Sequence, residues 1–306
     1  LEFRTLKAFA AVVQEGGFSP AAKAVFATQS TISKAVKHLE DELGTPLLER
    51  LGARSELTDA GRVVYRRALT MLAERDDLLA ELDEMRELKR GALRLGISPL
   101  GASLIYAPLF ARYCALYPGV ELQLVEQGAR VLESQLIEGR LDLAISLLPG
   151  PPPFEEQEIL AESLLVMLRA DHPLAAQPTI GLADLAKEPF ILYPEEFRLN
   201  DVILAACARA GFNPTIAVRS SQADFIVELV ALRLGVGFIP RAMADECRHA
   251  DVAYREIDGP GLSWRVGFIW RRNAYLSTAA RAWLRLARET PYQPEAGEAA
   301  AGARAS

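Results

Sequence analysis

The chain has 306 residues, half of them apolar, which is enough for one large or two ordinary domains with substantial cores and excludes a disordered or fibrous protein. No apolar stretch approaches the roughly 18 uncharged residues of a membrane span, and no basic segment followed by an apolar run opens the chain, so a soluble cytoplasmic protein is expected. A formal charge of -6 excludes a surface that coats nucleic acid as a whole, but it leaves room for one small DNA-reading domain.

The first helix is predicted over Thr5 to Glu15, where Leu6, Phe9, Ala10 and Val13 fall at helical spacing and Gly16-Gly17 ends the run. Ser19 followed by Pro20 predicts the cap and first turn of a short helix through Phe26. Thr28 then caps a third helix towards Leu43. Its inward stripe is Ile32, Val36, Leu39 and Leu43, which leaves Gln29, Ser30, Ser33, Lys34 and Lys37 on an outer side that is polar and locally basic. Gly44 ends that helix, and Pro46 to Leu57, with Arg50, Gly52 and Arg54, suits a hairpin wing. Thr58 and Asp59 open a long helix to about Lys89, in which Met71, Leu78 and Met85 recur every seven residues with Leu82 between them. That seam fits a partner helix in a dimer; packing on its own domain is the alternative.

From Gly91 strands alternate with helices: strand Leu93 to Ile97, helix Ser103 to Ala115, strand Val120 to Val125, helix Val131 to Glu138 and strand Leu141 to Ser146. Pro149 to Pro153 is a loop, and Ile159 to Leu168 is extended before His172-Pro173 breaks it. A second α/β unit follows, with strand Phe190 to Tyr193, helix Asn200 to Ala210, strand Thr215 to Val218, helix Gln222 to Leu234 and strand Gly237 to Ile239. A strand Arg265 to Trp270 and a closing helix Ser277 to Arg288 complete the pattern. From about Pro291 an Ala/Gly/Glu/Pro tail is expected to be disordered.

Catalytic and metal chemistry find no constellation. His38, His172 and His249 are isolated, and Cys114, Cys207 and Cys247 lie too far apart for a CxxC pair, so no metal and reduced, mostly structural thiols are expected. Gly235-Val236-Gly237 lacks the third glycine and the context of a dinucleotide fingerprint, and no Walker lysine motif occurs, so no cofactor is expected. Glu195 and Glu196 are neighbours better explained by a surface loop than by acid–base work.

Four blocks resemble a known signature in order and spacing. They are Gly17-Phe18-Ser19-Pro20-Ala21-Ala22, Thr28-Gln29-Ser30-Thr31-Ile32-Ser33-Lys34, Leu39-Glu40-Asp41-Glu42-Leu43-Gly44 and Leu57-Thr58-Asp59-Ala60-Gly61. They resemble the LysR-type transcriptional regulators. Gly139-Arg140-Leu141-Asp142-Leu143-Ala144-Ile145 and Gly235-Val236-Gly237-Phe238-Ile239-Pro240 resemble segments of that family's regulatory domain. Position 30 departs from the pattern, being serine where many members have proline. The chain also opens on Leu1 where methionine is expected, so either the true start lies upstream or the start codon is unusual.

The resemblance implies an α/β protein with an all-α, winged N-terminal domain. A winged helix-turn-helix (1–57) is expected first, then a linker and dimerisation helix (58–90). A two-lobed, periplasmic-binding-protein-like α/β regulatory domain (91–290) follows, with lobe I as 91–161 and 266–290 and lobe II as 162–265. Residues 291–306 are the tail. The implied function is that of a bacterial regulator, not an enzyme, whose binding to a dyad-symmetric operator in double-stranded DNA is modulated by a small effector.

In the major groove, about 12 Å wide, Gln29 is the candidate for a base edge, Lys34 for a guanine or phosphate, and Lys37 with Ser30 and Ser33 for the backbone. Arg50 and Arg54 on the wing are candidates for the minor groove or its phosphates. Because Glu40, Asp41 and Glu42 offset the lysines, a single copy should bind weakly, and a homodimer is expected, with a homotetramer as the alternative that the resemblance implies. The resemblance further implies contact with RNA polymerase. It also implies an effector, often a carboxylate, in a cleft lined by Ser98, Gly101 and Ser103 on one side and Tyr193, Ser221, Gln222 and Phe238 on the other. For each serine a helix cap is the alternative role. The rival function is a binding-protein-like receptor or enzyme whose helical N-terminus engages another protein and needs no DNA.

Overall fold

The computed structural model describes residues 1–51, 54–85, 92–258 and 262–290, without the side chains of residues 50, 51, 54, 80, 83–85 and 103. The expected tail from Pro291 and the end of the linker helix towards Lys89 lie outside the described residues. The chain divides into an N-terminal unit, Leu1–Leu88 together with Gln135–Arg140, and a second unit formed by the rest.

The N-terminal unit opens with helices α1 (Phe3–Gln14), α2 (Phe18–Ala24) and α3 (Gln29–Leu43). Ser19 does not cap α2. Gly17 holds the cap position instead, so Pro20 is the third helical residue, where a missing N–H breaks no helical bond. The helix also stops before Phe26, whose φ of +54° is incompatible with its continuation. The cap of α3 is as expected: Thr28 Oγ1 accepts from the Thr31 N–H at 3.2 Å, and Gly44 closes the helix at φ +67°. Phe9, Val12, Ala21, Ile32, Val36, Leu39 and Leu47 form the core between these helices.

Strands β1 (Leu48–Leu51) and β2 (Arg54–Leu57) pair antiparallel, Leu48 opposite Leu57. Thr58 then ties the hairpin to the next helix. Its Oγ1 donates to the Pro46 carbonyl at 2.8 Å and accepts from the Gly61 N–H at 2.9 Å. A Cβ at Gly61 would stand 2.0 Å from the Leu47 carbonyl oxygen, which is the physical reason for the glycine in the Thr58-Asp59-Ala60-Gly61 block. Helix α4 runs Asp59–Met85.

The second unit begins with β3 (Ala92–Ile97), a π-turn (Ala102–Tyr106), α5 (Ala107–Leu116), β4 (Glu121–Glu126), α6 (Ala129–Ile137), β5 (Leu143–Leu147) and β6 (Phe154–Arg169). It continues with β7 (Thr179–Gly181), β8 (Phe190–Leu192), α7 (Leu199–Arg209), β9 (Ile216–Arg219), α8 (Ala223–Ala231), β10 (Gly237–Pro240) and α9 (Arg241–Ala244). It ends with β11 (Val252–Asp258), β12 (Ser263–Arg271) and α10 (Thr278–Glu289).

One sheet runs through the unit in the order β4-β3-β5-β12-β6-β11-β7, with β10 also on β6. Along β6, pairing with β12 covers Phe154 to Ser163, and pairing with β10 takes over at Leu164. The sheet's first half packs α5 and α10 around Trp283, which lies 4.8 Å from the Phe110 ring and 5.0 Å from Tyr113. Its second half buries Val166, Met167, Phe190, Ile226 and Phe238.

Several elements depart from the sequence expectation. The first regulatory helix, expected from Ser103, is broken into the π-turn and α5. Strand β6 starts five residues before Ile159, and β7, α9 and β11 were not expected. Helix α8 ends at Ala231, three residues short of Leu234, where Arg233 turns left-handed at φ +65°. Among the described residues, no helix is long and apolar enough to cross a membrane.

Candidate DNA interface and effector cavity

Burial of Ile32, Val36 and Leu39 fixes the rotation of α3, and the opposite side is open. Gln29 and Ser30 are exposed in its first turn, Lys34 and Lys37 are exposed further along, and Ser33 is half-buried. The N-terminal end of a helix carries partial positive charge, so Gln29 and Ser30 stand where a phosphate or base acceptor is electrostatically favoured. Arg50 and Arg54 occupy β1 and β2, opposite Ser55 and Leu51, and their side chains lie outside the described residues. On α4, Met71, Leu78 and Leu82 are exposed, with 43%, 55% and 41% of their surface open. The Met85 side chain lies outside the described residues.

The second unit holds a small cavity of about 30 Å³. Its polar walls are Ser98, Tyr106, Ser146 and Arg198, and its apolar walls include Leu100, Ile145, Phe197, Trp264 and Val266. Arg198 is oriented by a relay. Its Nη1 donates to Glu133 Oε1 at 2.9 Å, and Ser146 Oγ donates to the same oxygen at 2.7 Å. The helices α6 and α7 begin at Ala129 and Leu199, both cavity residues, so two positive helix ends meet there with a guanidinium. Tyr106 ends the π-turn. Its hydroxyl is buried and has no hydrogen-bond partner among the described residues, and burial pushes its pKa up, so it remains a neutral O–H donor.

Of the expected effector residues, the structure brings Ser98 to the cavity wall. Gly101 is not among the lining residues. It opens the π-turn at φ +83°, and a Cβ there would lie 3.3 Å from Trp264 Cη2. The side chain of Ser103 lies outside the described residues.

Tyr193 and Phe238 do not line this cavity. Both are buried core side chains, 1% exposed, and the Tyr193 hydroxyl is spent on the Phe238 carbonyl at 3.1 Å. Ser221 is half-buried and Gln222 exposed at the start of α8, and neither lines the cavity. Sequence reasoning missed Tyr106, Ser146, Arg198 and Trp264. Arg198 had one usable signal: it sits in the loop from the end of β8 into α7, the kind of strand-end loop that faces a cleft in α/β folds.

A larger, open groove of about 610 Å³ runs beside β11, lined by Arg241, Arg248, His249 and Arg255 among others. Its cations are already engaged. Arg241 pairs with Glu256, Arg248 bonds Asp245, and Arg255 Nε donates to the Ala175 carbonyl at 2.9 Å.

Residues 3–62 match the model of the bacterial regulatory helix-turn-helix protein of the lysR family, and residues 86–291 match the LysR substrate binding domain. The chain is a member of the LysR family of transcriptional regulators. The HTH-type transcriptional regulator YwbI of Bacillus subtilis is 35% identical over 96% of this chain and 98% of its own length. The transcriptional dual regulator GltC of the same organism is 30% identical over 92% and 94%. Among solved structures, a full-length point variant of OxyR from Pseudomonas aeruginosa superposes with a TM-score of 0.64 at 25% identity, covering 96% of this chain and 98% of that one. Full-length CbnR complexed with its target DNA gives 0.59 at 24%, covering 94% and 99%. This LysR-type regulator is thus a DNA-binding protein with an effector-binding domain, and membership in a family of transcriptional regulators sets aside the enzyme and receptor alternatives.

Proposed function

We propose that this regulator reads a dyad-symmetric operator through Gln29, Ser30, Ser33, Lys34 and Lys37, with Arg50 and Arg54 of the wing on the flanking phosphates or minor groove. The division of labour is 1–57 for DNA, 58–90 for linkage and dimerisation, and 91–290 for the effector, with lobes at 91–161 plus 266–290 and at 162–265. The seam of Met71, Leu78, Leu82 and Met85 joins two copies into a homodimer, which pairs further into a homotetramer on DNA. Binding of a small carboxylate between the lobes retunes how the paired dimers sit on DNA and meet RNA polymerase. The place of action is the cytoplasm, where the operator is.

The observation that carries this reading is the exposed row of Gln29, Ser30, Lys34 and Lys37 on a helix whose other side is locked by Ile32, Val36 and Leu39. The test is selection of genomic fragments by the purified protein, then gel-shift titration of the enriched duplex at two salt concentrations. Lys34→Ala is expected to weaken binding and lower the salt slope by about one. Gln29→Ala is expected to relax base preference and cost about 1–3 kcal/mol. Enrichment no better than random DNA would overturn the reading.

A further inference from the structure

Residues 1–57 carry seven lysines and arginines against seven aspartates and glutamates, so the part that reads DNA brings no net charge to a duplex. The whole chain, at -6, is repelled by it. One surface of the second unit has the opposite character. Helix α10 buries Ala280, Trp283, Leu284 and Ala287 and leaves Arg281, Arg285 and Arg288 exposed, at the i, i+4, i+7 spacing of a single helical face. Arg112, exposed on α5, reaches the end of that row, where its Nη1 donates to Thr290 Oγ1. The acceptors position these guanidinium groups without neutralising them. Arg285 Nη2 donates to the Tyr117 hydroxyl at 3.1 Å and Arg288 Nη2 to Gln157 Oε1 at 3.0 Å. Glu289 shares the exposed end of the helix and offsets one charge, yet Arg112, Arg285 and Arg288 form no ion pair with a carboxylate among the described residues.

A guanidinium tied to neutral acceptors keeps its charge, and its remaining N–H donors suit the paired oxygens of a phosphate. At about 1.5 Å of rise per residue, Arg281 to Arg288 extend about 10 Å along the helix. That is the axial length of about three successive phosphates on one strand of a duplex. We infer that Arg112, Arg285 and Arg288, with Arg281 continuing the row, form a second contact surface for double-stranded DNA, one that holds the phosphate backbone and reads no base. The inference rests on the DNA-binding reading above and adds a sequence-independent contact to it. A duplex is favoured over other polyanions because it is the partner of a LysR-type regulator and because the balanced charge of residues 1–57 leaves backbone attraction to be supplied elsewhere.

The test is a salt titration of operator affinity with the full chain, on the selected duplex with its native flanks. The slope of log affinity against log salt is expected to lose about 0.9 for each phosphate contact removed. The triple variant Arg112→Gln, Arg285→Gln, Arg288→Gln should therefore lose about two to three from that slope, while the matching triple Arg→Lys variant keeps it. A control, Arg209→Gln, Arg233→Gln, Arg248→Gln, changes the net charge equally and should leave the slope as it is. Light scattering should give the same oligomer for all four proteins. An unchanged slope in the first variant overturns the inference and leaves the DNA-binding reading standing; if promoter activation is lost at the same time, the row holds an acidic protein instead. An equal fall in the control assigns the effect to net charge, and a smaller oligomer in the first variant assigns the row to contact between copies, each of which also overturns it. A wild type that binds no duplex better than random DNA removes both readings.

Discussion

The carboxylate of Glu40 accepts the backbone N–H of Leu47 at 2.7 Å and that of Leu48 at 3.2 Å, so a side chain of α3 holds the start of β1. In sequence Glu40 reads as one of three acids offsetting the lysines, whereas its structural role is to join α3 to the hairpin. Glu40→Ala leaves two part-buried donors without an acceptor and is expected to cost about 1–3 kcal/mol in chemical denaturation of the N-terminal unit. Operator affinity should fall with it despite the removal of a negative charge. Glu40→Gln keeps an acceptor oxygen and should lose less.

Phe26, 99% exposed in the turn between α2 and α3, holds φ +54°, a conformation that costs an L-residue about 1–2 kcal/mol. Phe26→Gly is expected to raise stability by up to about 1 kcal/mol, the relief exceeding the added entropy of the unfolded chain. A thermal melt decides it: a lower melting temperature would mean that the ring stabilises the turn in a way its exposure does not reveal.

Gly61 tolerates no side chain, because the Leu47 carbonyl occupies the place of its Cβ. Gly61→Ala should push α4 from the wing and cost about 1–3 kcal/mol by overpacking. Thr58→Ala, which removes the hydroxyl bonded to Pro46 and Gly61, should cost about 1 kcal/mol by loss of a cap. Denaturant midpoints of the two variants provide the comparison.

The three cysteines are unpaired and differ in access: Cys114 is exposed, Cys247 half-buried and Cys207 buried. Burial pushes the Cys207 thiol up to about 11. At pH 8 it is therefore protonated, and the attacking species is the thiolate. Iodoacetamide at pH 8 should label Cys114 first and leave Cys207 untouched until denaturant is added. Peptide mass spectrometry reads the order, and early labelling of Cys207 would contradict its burial.

Local chemistry made the N-terminal unit legible. The Thr28 cap, the Gly44 stop and the Ile32, Val36, Leu39 stripe are short-range signals, and each has the geometry its residues imply. The start of α2 was misplaced because Ser19-Pro20 is a strong cap signal that Gly17 preempts. In the second unit the strongly apolar strands were readable, but the start of β6 was hidden by Glu155, Glu156 and Glu158, whose acidic side chains obscure a strand paired along its length. The cavity was legible only at Ser98. Tyr106, Ser146, Arg198 and Trp264 come from a π-turn, a strand, a loop and a distant strand, and no spacing within the chain marks their convergence. An aromatic at a strand end fits a cleft and a core equally well, and Tyr193 and Phe238 are packed in the core.

Strand β6 is the common member of both halves of the regulatory sheet, and beside it β12 shifts register between Val266 and Gly267, where the Gln157 carbonyl oxygen stands 2.4 Å from the site of any Cβ on Gly267. A ribbon of two hydrogen-bonded strands resists stretching and shear but yields to torsion, and a bulge is where its twist changes most readily. Any motion of one half of the domain against the other is thereby expected to be rotation about the axis of the ribbon. A torque applied to one half of the sheet is therefore expected to reach the other as a change of angle along β6 rather than as a slide.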